Sequence, residues 1–372
     1  MFIRPRKPAP EPHVRHTLSE LGYEFDLTSG KLRNTSTGEP YEYNTYGSDK
    51  KKNAELYQSL LAPASRDVYR ILVESDLHME PIAVPDSRQP HCNIYVTPGG
   101  LSQKHLVVIV TGHGVNGGVW AWNVLVKEGL RAGSVIEYVR GCVQRGYGVL
   151  VLNPNENIVA TDGFPETFNT YVGHSTPIHG SETPDEHVGF VWSRIIRGSL
   201  AETVAFVTFN TAGIAVVDLL KHDYAQFISK SVGIVFIDSA HSTFKLEREA
   251  LGWLRLAAKQ WENSAEPADS LVENDRVGCV AVSAGNSSDC RELVPIACME
   301  SVLEYISSCF ERGLIEDPLD GEISDDSVGA VDFSGAEPGS DTDAIEDLAA
   351  IDSIQVVQPG GHVVDDGYIG WD

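Results

Sequence analysis

The sequence predicts an α/β protein with a doubly wound, mainly parallel sheet and helices on both faces. Three observations predict it. Uninterrupted apolar runs recur, such as HLVVIV from residue 105 and TVAFVTF from residue 203; continuous rather than alternating runs mark strands covered on both faces. Segments of helical periodicity separate these runs, and β alternating with α at such spacing builds a parallel sheet with right-handed crossovers. The chain has 372 residues, 42% hydrophobic and 22% charged, enough to bury a large core.

The elements follow in order. Residues 1–12 read as a flexible basic leader, and residues 14–22 as a short helix. Residues 22–44 (GYEFDLTSGKLRNTSTGEPYEYN) alternate as two strands around Ser29 and Gly30, a hairpin. Residues 50–74 carry a helical apolar stripe (Leu56, Leu60, Leu61, Tyr69, Ile71, Leu72), which Pro63 is expected to split into two helices. From residue 105 the β/α alternation begins: strand 105–110, helix 134–146, strand 147–152 and helix 184–199, with Pro184 in its first turn. Strand 203–210, helix 211–222, strand 231–237, helix 246–261, strand 276–285 and helix 293–310 complete it. The expected organisation is a leader (1–12), a hairpin-helix extension (13–100), an α/β domain (101–312) and an acidic disordered tail (313–372).

Charge is unevenly spread. The net charge is −25, and the 60 residues from 313 onward hold 16 Asp and Glu with no Lys or Arg, leaving −9 for the rest. Such a segment buries too little apolar surface to offset its ordering entropy. It reads as a solubilising tail or as a docking arm for a basic partner, and 354–371 is apolar enough to fold back or act as a short linear motif. A chain this acidic is not expected to coat a phosphate backbone. No run of about 18 apolar residues is present to span a membrane, and the N-terminus lacks the apolar core of a secretory signal. RPRK at 4–7 is too short to specify a nucleus by itself. The six cysteines (Cys92, Cys142, Cys279, Cys290, Cys298, Cys309) form no CxxC pair, so reduced, mostly buried thiols of an intracellular protein are expected, with no metal or cofactor.

In an open parallel sheet, sites lie at the carboxyl ends of strands. The last three such ends fall where α/β-hydrolases place nucleophile, acid and histidine in chain order. The elbow reads Thr208-Phe209-Asn210-Thr211-Ala212-Gly213. The small residues of an elbow are there, but Asn210 occupies the nucleophile position, and an amide cannot be activated as an attacking alkoxide. Asn tolerates a left-handed backbone, so it can hold a strained bend for structural reasons. The acid position is Asp238. The histidine position after the last strand reads GNSSDCREL, with Arg291 the nearest candidate; Arg stays protonated and cannot serve as a general base. Asp238 and Arg291 are candidates for an ion pair across the former site. Gly112, His113 and Gly114 resemble an oxyanion-type loop, or form a close-packed turn. Asn153, Asn155, Glu156 and Asn157 form a polar strand-end loop that satisfies turn groups or lines a pocket. Trp120, with Trp122, is read as core or interface anchor, and His241 and His113 as packed histidines. Glu186 and His187 are read as a helix-terminus feature.

Several blocks together carry a resemblance: VVIVTGHGVNGGVWAWNVL, GYGVLVLNPNEN, TPDEHVGFVW, FVTFNTAGIAVVDL, IDSAHS and VSAGNSSDCREL, preceded by LGYEFDLTSGKLRNTSTGEPYEYN. They resemble the Argonaute-binding (Arb-two) domain family over residues 20–312. That family includes animal cotranscriptional regulators and the C-terminal domain of fungal class II histone deacetylases. The resemblance implies an α/β-hydrolase-like fold. Relatives keep a serine at the elbow; here Phe209 and Asn210 stand where they have His and Ser, and of the triad Asp238 carries over. The resemblance therefore implies a catalytically silent interaction module in an RNA-silencing, heterochromatin or cotranscriptional complex, nuclear, with Argonaute or histone deacetylase subunits as partners. The alternative is a divergent serine-type ester hydrolase with a relocated nucleophile at Ser239, Ser283 or Thr211. A third reading is a pseudoenzyme that senses a small molecule.

Overall fold

A computed structural model describes residues 16–112, 114–167, 174–285 and 290–315. The leader at 1–12, His113, and the acidic tail beyond residue 315 lie outside the described residues.

The hairpin comes first: β1 (Tyr23–Phe25) pairs antiparallel with β2 (Leu32–Asn34). Residues 18–22 form turns in the described part of the expected helix, and Gly22, with φ +78°, turns the chain into the first strand. Helix α1 (Lys50–Glu74) starts on Asp49, whose side chain accepts from the Lys52 N–H. It runs unbroken through Pro63, against the expected split. Burial of Leu60, Leu61, Ala64, Val68, Ile71 and Leu72 on one face outweighs one lost backbone hydrogen bond, because each buried aliphatic side chain contributes about 1.5–3 kcal/mol.

The central sheet has eight strands: β3 (Glu80–Val84), β4 (Cys92–Val96), β5 (His105–Val110), β6 (Gly148–Val151), β10 (Thr203–Phe209), β11 (Ser231–Ile237), β12 (Ala258–Glu262) and β13 (Val280–Ser283). Its order is β3-β4-β6-β5-β10-β11-β12-β13, with β4 antiparallel to both neighbours and the other pairs from β6 onward parallel. Counted along the chain this is 1-2-4-3-5-6-7-8 with the second strand reversed, the α/β-hydrolase arrangement. Two features differ from the sequence expectation. The sheet reaches back to Glu80, well before residue 101. And β12 occupies residues expected to extend a helix. Trp253, Leu254, Ala257 and Trp261 recur at helical spacing, but α8 (Arg248–Ala257) gives way at Ala258 directly to strand, with no Gly or Pro to announce the change.

Alternate strand residues feed two cores. Val107, Ile109, Val149, Val151 and Val207 pack on α1, α4 (Ile136–Gln144) and α10 (Met299–Arg312). Leu106, Val108, Leu150 and Phe206 pack on α5 (Pro184–Val191), α6 (Ala212–His222), α7 (Tyr224–Ile228) and α8. This is double winding. Short helices α2 (Trp122–Lys127) and α3 (Leu130–Gly133) precede α4, α9 (Val294–Ala297) precedes α10, and α5 continues into a wider turn over Trp192–Ile196. An excursion between β6 and α5 forms a small antiparallel sheet of β7 (Glu156–Ala160), β8 (Pro165–Thr167) and β9 (Ser175–Pro177). No described helix is long and apolar enough to cross a membrane. The six cysteines are free, four of them buried.

The hairpin docks through backbone. The Leu130 N–H donates to the Gly30 carbonyl at 2.8 Å, and Lys31 pairs with Glu128 at 3.0 Å. Gly129 has φ +94°, and a Cβ there would lie 2.2 Å from the Gly30 oxygen. Gly129→Ala should therefore lower stability by about 2–4 kcal/mol in urea unfolding, and should expose residues 23–34 to limited proteolysis before the rest of the domain.

Candidate functional site

The elbow forms as the fold demands. After β10 the chain turns at Asn210 with φ +53° and enters α6. A non-glycine residue in the left-handed region is rare, and Asn bears it best. Small neighbours leave room for the bend: a Cβ on Gly112 would lie 3.2 Å from that of Asn210, and one on Gly213 would meet the Ser239 hydroxyl. Asn210 is exposed, and its carboxamide has no hydrogen-bond partner among the described residues. The elbow geometry thus persists with a carboxamide at its apex.

Asp238, also left-handed at φ +42°, sits at the end of β11. Arg291 grips it with two bonds, Nε to Oδ2 at 2.9 Å and Nη2 to Oδ1 at 3.1 Å. The carboxylate side chain is 6% exposed and the guanidinium 70%. The pair occupies the ground between the acid and histidine positions, so the carboxylate orients no imidazole. Because β12 intervenes, the seventh strand ends at Glu262, an acid position the sequence reading missed behind its extended helix. Glu262 accepts from Gln260 and from Asn274, and no imidazole reaches it among the described residues.

Among the described residues two serine–histidine contacts exist, and neither includes Asn210. Ser239 Oγ lies 2.9 Å from His241 Nδ1, and His241 Nε2 lies 3.0 Å from the Val277 carbonyl. The carbonyl accepts, so Nε2 carries the proton and Nδ1 accepts from the serine. His241 is 4% exposed and stacked on Phe236; burial lowers its pKa. A carbonyl stands where a triad needs a carboxylate. The second contact joins Ser181 Oγ to His187 Nδ1 at 2.8 Å, with His187 Nε2 accepting the Asn153 N–H at 3.3 Å. That imidazole is fully buried, and burial pushes its pKa down to about 3. Ser283 donates to the carbonyls of Ser264 and Glu266 and fixes that loop.

The Asn-rich block after β6 holds backbone rather than surface. Asn153 Oδ1 accepts the Gly117 N–H at 2.9 Å, and its amide donates to Glu156 at 2.6 Å. The Asn155 amide donates to the Gly112 and Val115 carbonyls, both at 2.7 Å. Asn157 reaches Pro154 and Ser181. These bonds fix the glycine-rich loop that begins at Gly112 and Gly114. Glu156 is 4% exposed and also accepts from Tyr69 at 2.8 Å and Asn116 at 2.9 Å. Desolvation pushes its carboxyl up, partly offset by these donors. Tyr69 and Asn116 were not singled out from sequence: a tyrosine on a helical stripe carries no sign of a partner 87 positions away.

Trp120 is 2% exposed and sits edge-on to Tyr138 and Phe209. Asn153, Glu156, Trp120 and His241 are all buried and present no interface; Asn155 lines a cavity. Thr183 caps α5, its hydroxyl accepting the Glu186 N–H and donating to the Glu186 carboxylate. Among the described residues no group of three or more His, Cys, Asp or Glu is placed to hold a metal ion.

A family model described as Arb2 domain matches residues 14–268. The cotranscriptional regulator ARB2A of Mus musculus is 28% identical over 341 residues, covering 79% of this chain and 81% of that protein. The cotranscriptional regulator ARB2A of Homo sapiens is 27% identical over 351 residues, covering 82% and 83%. Among solved structures, a histone deacetylase from Saccharomyces cerevisiae superposes with a TM-score of 0.43 at 13% identity, covering 68% of this chain and 98% of that one.

Two measurements check the buried network. An unfolded chain protonates the imidazoles of His187 and His241 near their ordinary value of 6.5, whereas the folded chain resists until lower pH, for His187 about 3. Acid therefore favours unfolding: the urea midpoint should fall as pH drops below about 6.5, with Glu156 opposing at the acid end. A His187→Gln variant should be less stable at pH 7 and show a shallower pH dependence. Glu156→Gln should lower stability by about 2 kcal/mol, because an amide group in place of one oxygen leaves a buried donor unpaired.

Proposed function

The chain belongs to the Arb2 domain family, and on that premise we propose that it is a catalytically silent, α/β-hydrolase-like interaction module of a nuclear, chromatin-linked or cotranscriptional regulatory assembly. One observation carries the silence. The elbow presents Asn210, and the Asp238 carboxylate beside it is held by the Arg291 guanidinium. Nucleophile and base are both missing from the position where the fold would use them, and a hydrolase stripped of both retains little beyond binding.

The regulatory reading rests on relatives named as cotranscriptional regulators that match about four-fifths of the chain. Partners are protein subunits, Argonaute or histone deacetylase linked, rather than nucleic acid, in keeping with a net charge of −25. The chain divides functionally into a docked hairpin-helix extension, an α/β body and an acidic tail for solubility or for a basic partner.

The Ser239–His241 contact supports a second reading, a divergent ester hydrolase with a relocated serine. Against it, the Ser239 hydroxyl packs on Gly213 and its imidazole leans on a backbone carbonyl.

A fluorophosphonate probe separates the two. The full chain should remain unlabelled, and Asn210→Ser should remain unlabelled too, since no general base faces the elbow among the described residues. Labelling abolished by Ser239→Ala would establish the hydrolase instead. Affinity purification of the full chain with mass spectrometry should recover Argonaute, histone deacetylase or other chromatin or RNA-processing subunits; recovery of none would overturn the module reading.

A further inference from the structure

The loop between the hairpin and α1 combines exposed aromatic rings with a fixed backbone. Tyr43 is 39% exposed and Tyr46 51%, and neither lies in a helix or strand. Yet the loop is pinned. Asn53, 1% exposed, accepts the Tyr46 N–H at 2.8 Å and donates to the Gly47 carbonyl at 2.9 Å. The half-buried Tyr57 on α1 meets Tyr43 edge-on, with ring centres 5.9 Å and planes 68° apart, an angle that leaves an apolar recess between the rings. The hydroxyls of Tyr43, Tyr46 and Tyr57 have no hydrogen-bond partner among the described residues. Glu39 and Glu42, exposed on either side of Tyr41, have no ion pair among the described residues. Fixed aromatic rings with idle donors, beside unpaired carboxylates, suit a proline-rich segment that carries basic residues. Such a segment is extended and has no internal hydrogen bonds, so its carbonyls take outside donors while its proline rings pack on aromatic faces.

The chain itself supplies such a segment. Residues 4–12 read RPRKPAPEP, with Pro5, Pro8, Pro10 and Pro12 beside Arg4, Arg6 and Lys7; they lie outside the described residues. The described residues begin close to the tyrosines. The His16 carbonyl accepts from Arg66 on α1 at 2.6 Å. The Tyr23 N–H donates to the Leu18 carbonyl at 2.9 Å, and the Tyr23 ring lies edge-on to Tyr41 at 5.8 Å. Tyr57 precedes Arg66 by nine residues on the same helix, about 14 Å along its axis. Measured from His16, Pro12 and Pro8 reach about 12 Å and about 25 Å in a polyproline II conformation, which brackets that separation. We propose that residues 4–12 bind this tyrosine face as an intramolecular strap. Prolines sit on Tyr43, Tyr46 and Tyr57, and Arg4, Arg6 and Lys7 turn toward Glu39 and Glu42. Lys127 Nζ stands 5.9 Å from the Tyr43 ring centre, which reserves that ring for a proline rather than a further cation. The assignment rests on neither the silent elbow nor the regulatory reading.

Photocrosslinking of the full chain tests this. With p-benzoylphenylalanine in place of Ala9, irradiation should give cross-links within one chain, located by mass spectrometry to residues 39–57. Tyr43→Ala combined with Tyr46→Ala should cut their yield about tenfold, and the melting temperature should stay unchanged because both side chains are exposed. Pro8→Ala combined with Pro10→Ala should cut the yield by a similar factor. Trypsin gives a second readout free of the label. Cleavage between Arg6 and Lys7 should be slow in the unsubstituted chain and about tenfold faster in the tyrosine double variant. Cross-links to other parts of the fold, cross-links joining two chains, or cleavage unaffected by the tyrosine substitutions would each overturn the proposal. So would saturable binding of a separate RPRKPAPEP peptide to the full chain with no change in that cleavage, which would assign the face to a partner. None of these outcomes bears on fluorophosphonate labelling or partner capture.

Discussion

Glu156 is a carboxylate buried away from any cation, and much of the site end of the molecule is organised around its need for donors. Tyr69 reaches it from α1, Asn116 from the glycine-rich loop and Asn153 from the end of β6. Those three come from separate parts of the chain. The amide orientations are themselves set: Asn153 must turn its oxygen to the Gly117 N–H, and Asn116 its oxygen to Trp122. Below this lies His187, neutral and sealed between Ser181 and the Asn153 N–H. A network this buried gains from low dielectric only while every member is satisfied. It therefore couples the N-terminal helix, the loop and the β6–β7 crossover into one unit.

On that frame the elbow keeps its shape with Asn210 at its apex. The bend is imposed by a parallel strand passing into a helix across a crowded sheet edge, and it needs small neighbours and a residue that accepts positive φ. Asn210 meets the backbone requirement, and the fold makes no further demand on its side chain. The same economy applies to Asp238. A carboxylate at a strand end needs a partner, and Arg291 satisfies it as well as a histidine would, while removing any capacity for proton transfer. Backbone geometry and side-chain acidity are independent constraints, so the shape of the bend does not dictate which side chain it carries.

The sequence was legible where the signal is local. Uninterrupted apolar runs marked β5, β10 and β11, and the Ser29–Gly30 turn marked the hairpin, because strand burial and turn chemistry are written in adjacent residues. The elbow and its missing nucleophile were legible as soon as strand and helix were placed on either side of Asn210. Reading failed where tertiary burial overrides local preference. Pro63 sits inside an intact helix since one face of α1 is sealed against the core. Strand β12 was taken for helix because Trp253, Ala257 and Trp261 keep a helical period across a junction that has no breaker.

Alone, the amino-acid order determined the fold class, the family blocks and the residue types at the elbow and strand ends, since each depends on residue type and short spacing. Only the tertiary structure decided that Arg291 closes on Asp238, that Tyr69 and Asn116 support Glu156, and that Trp120 is core. Those facts depend on contacts between residues tens of positions apart, and on which side of a sheet each side chain lands. Distance along a chain carries no information about either until the strands have paired.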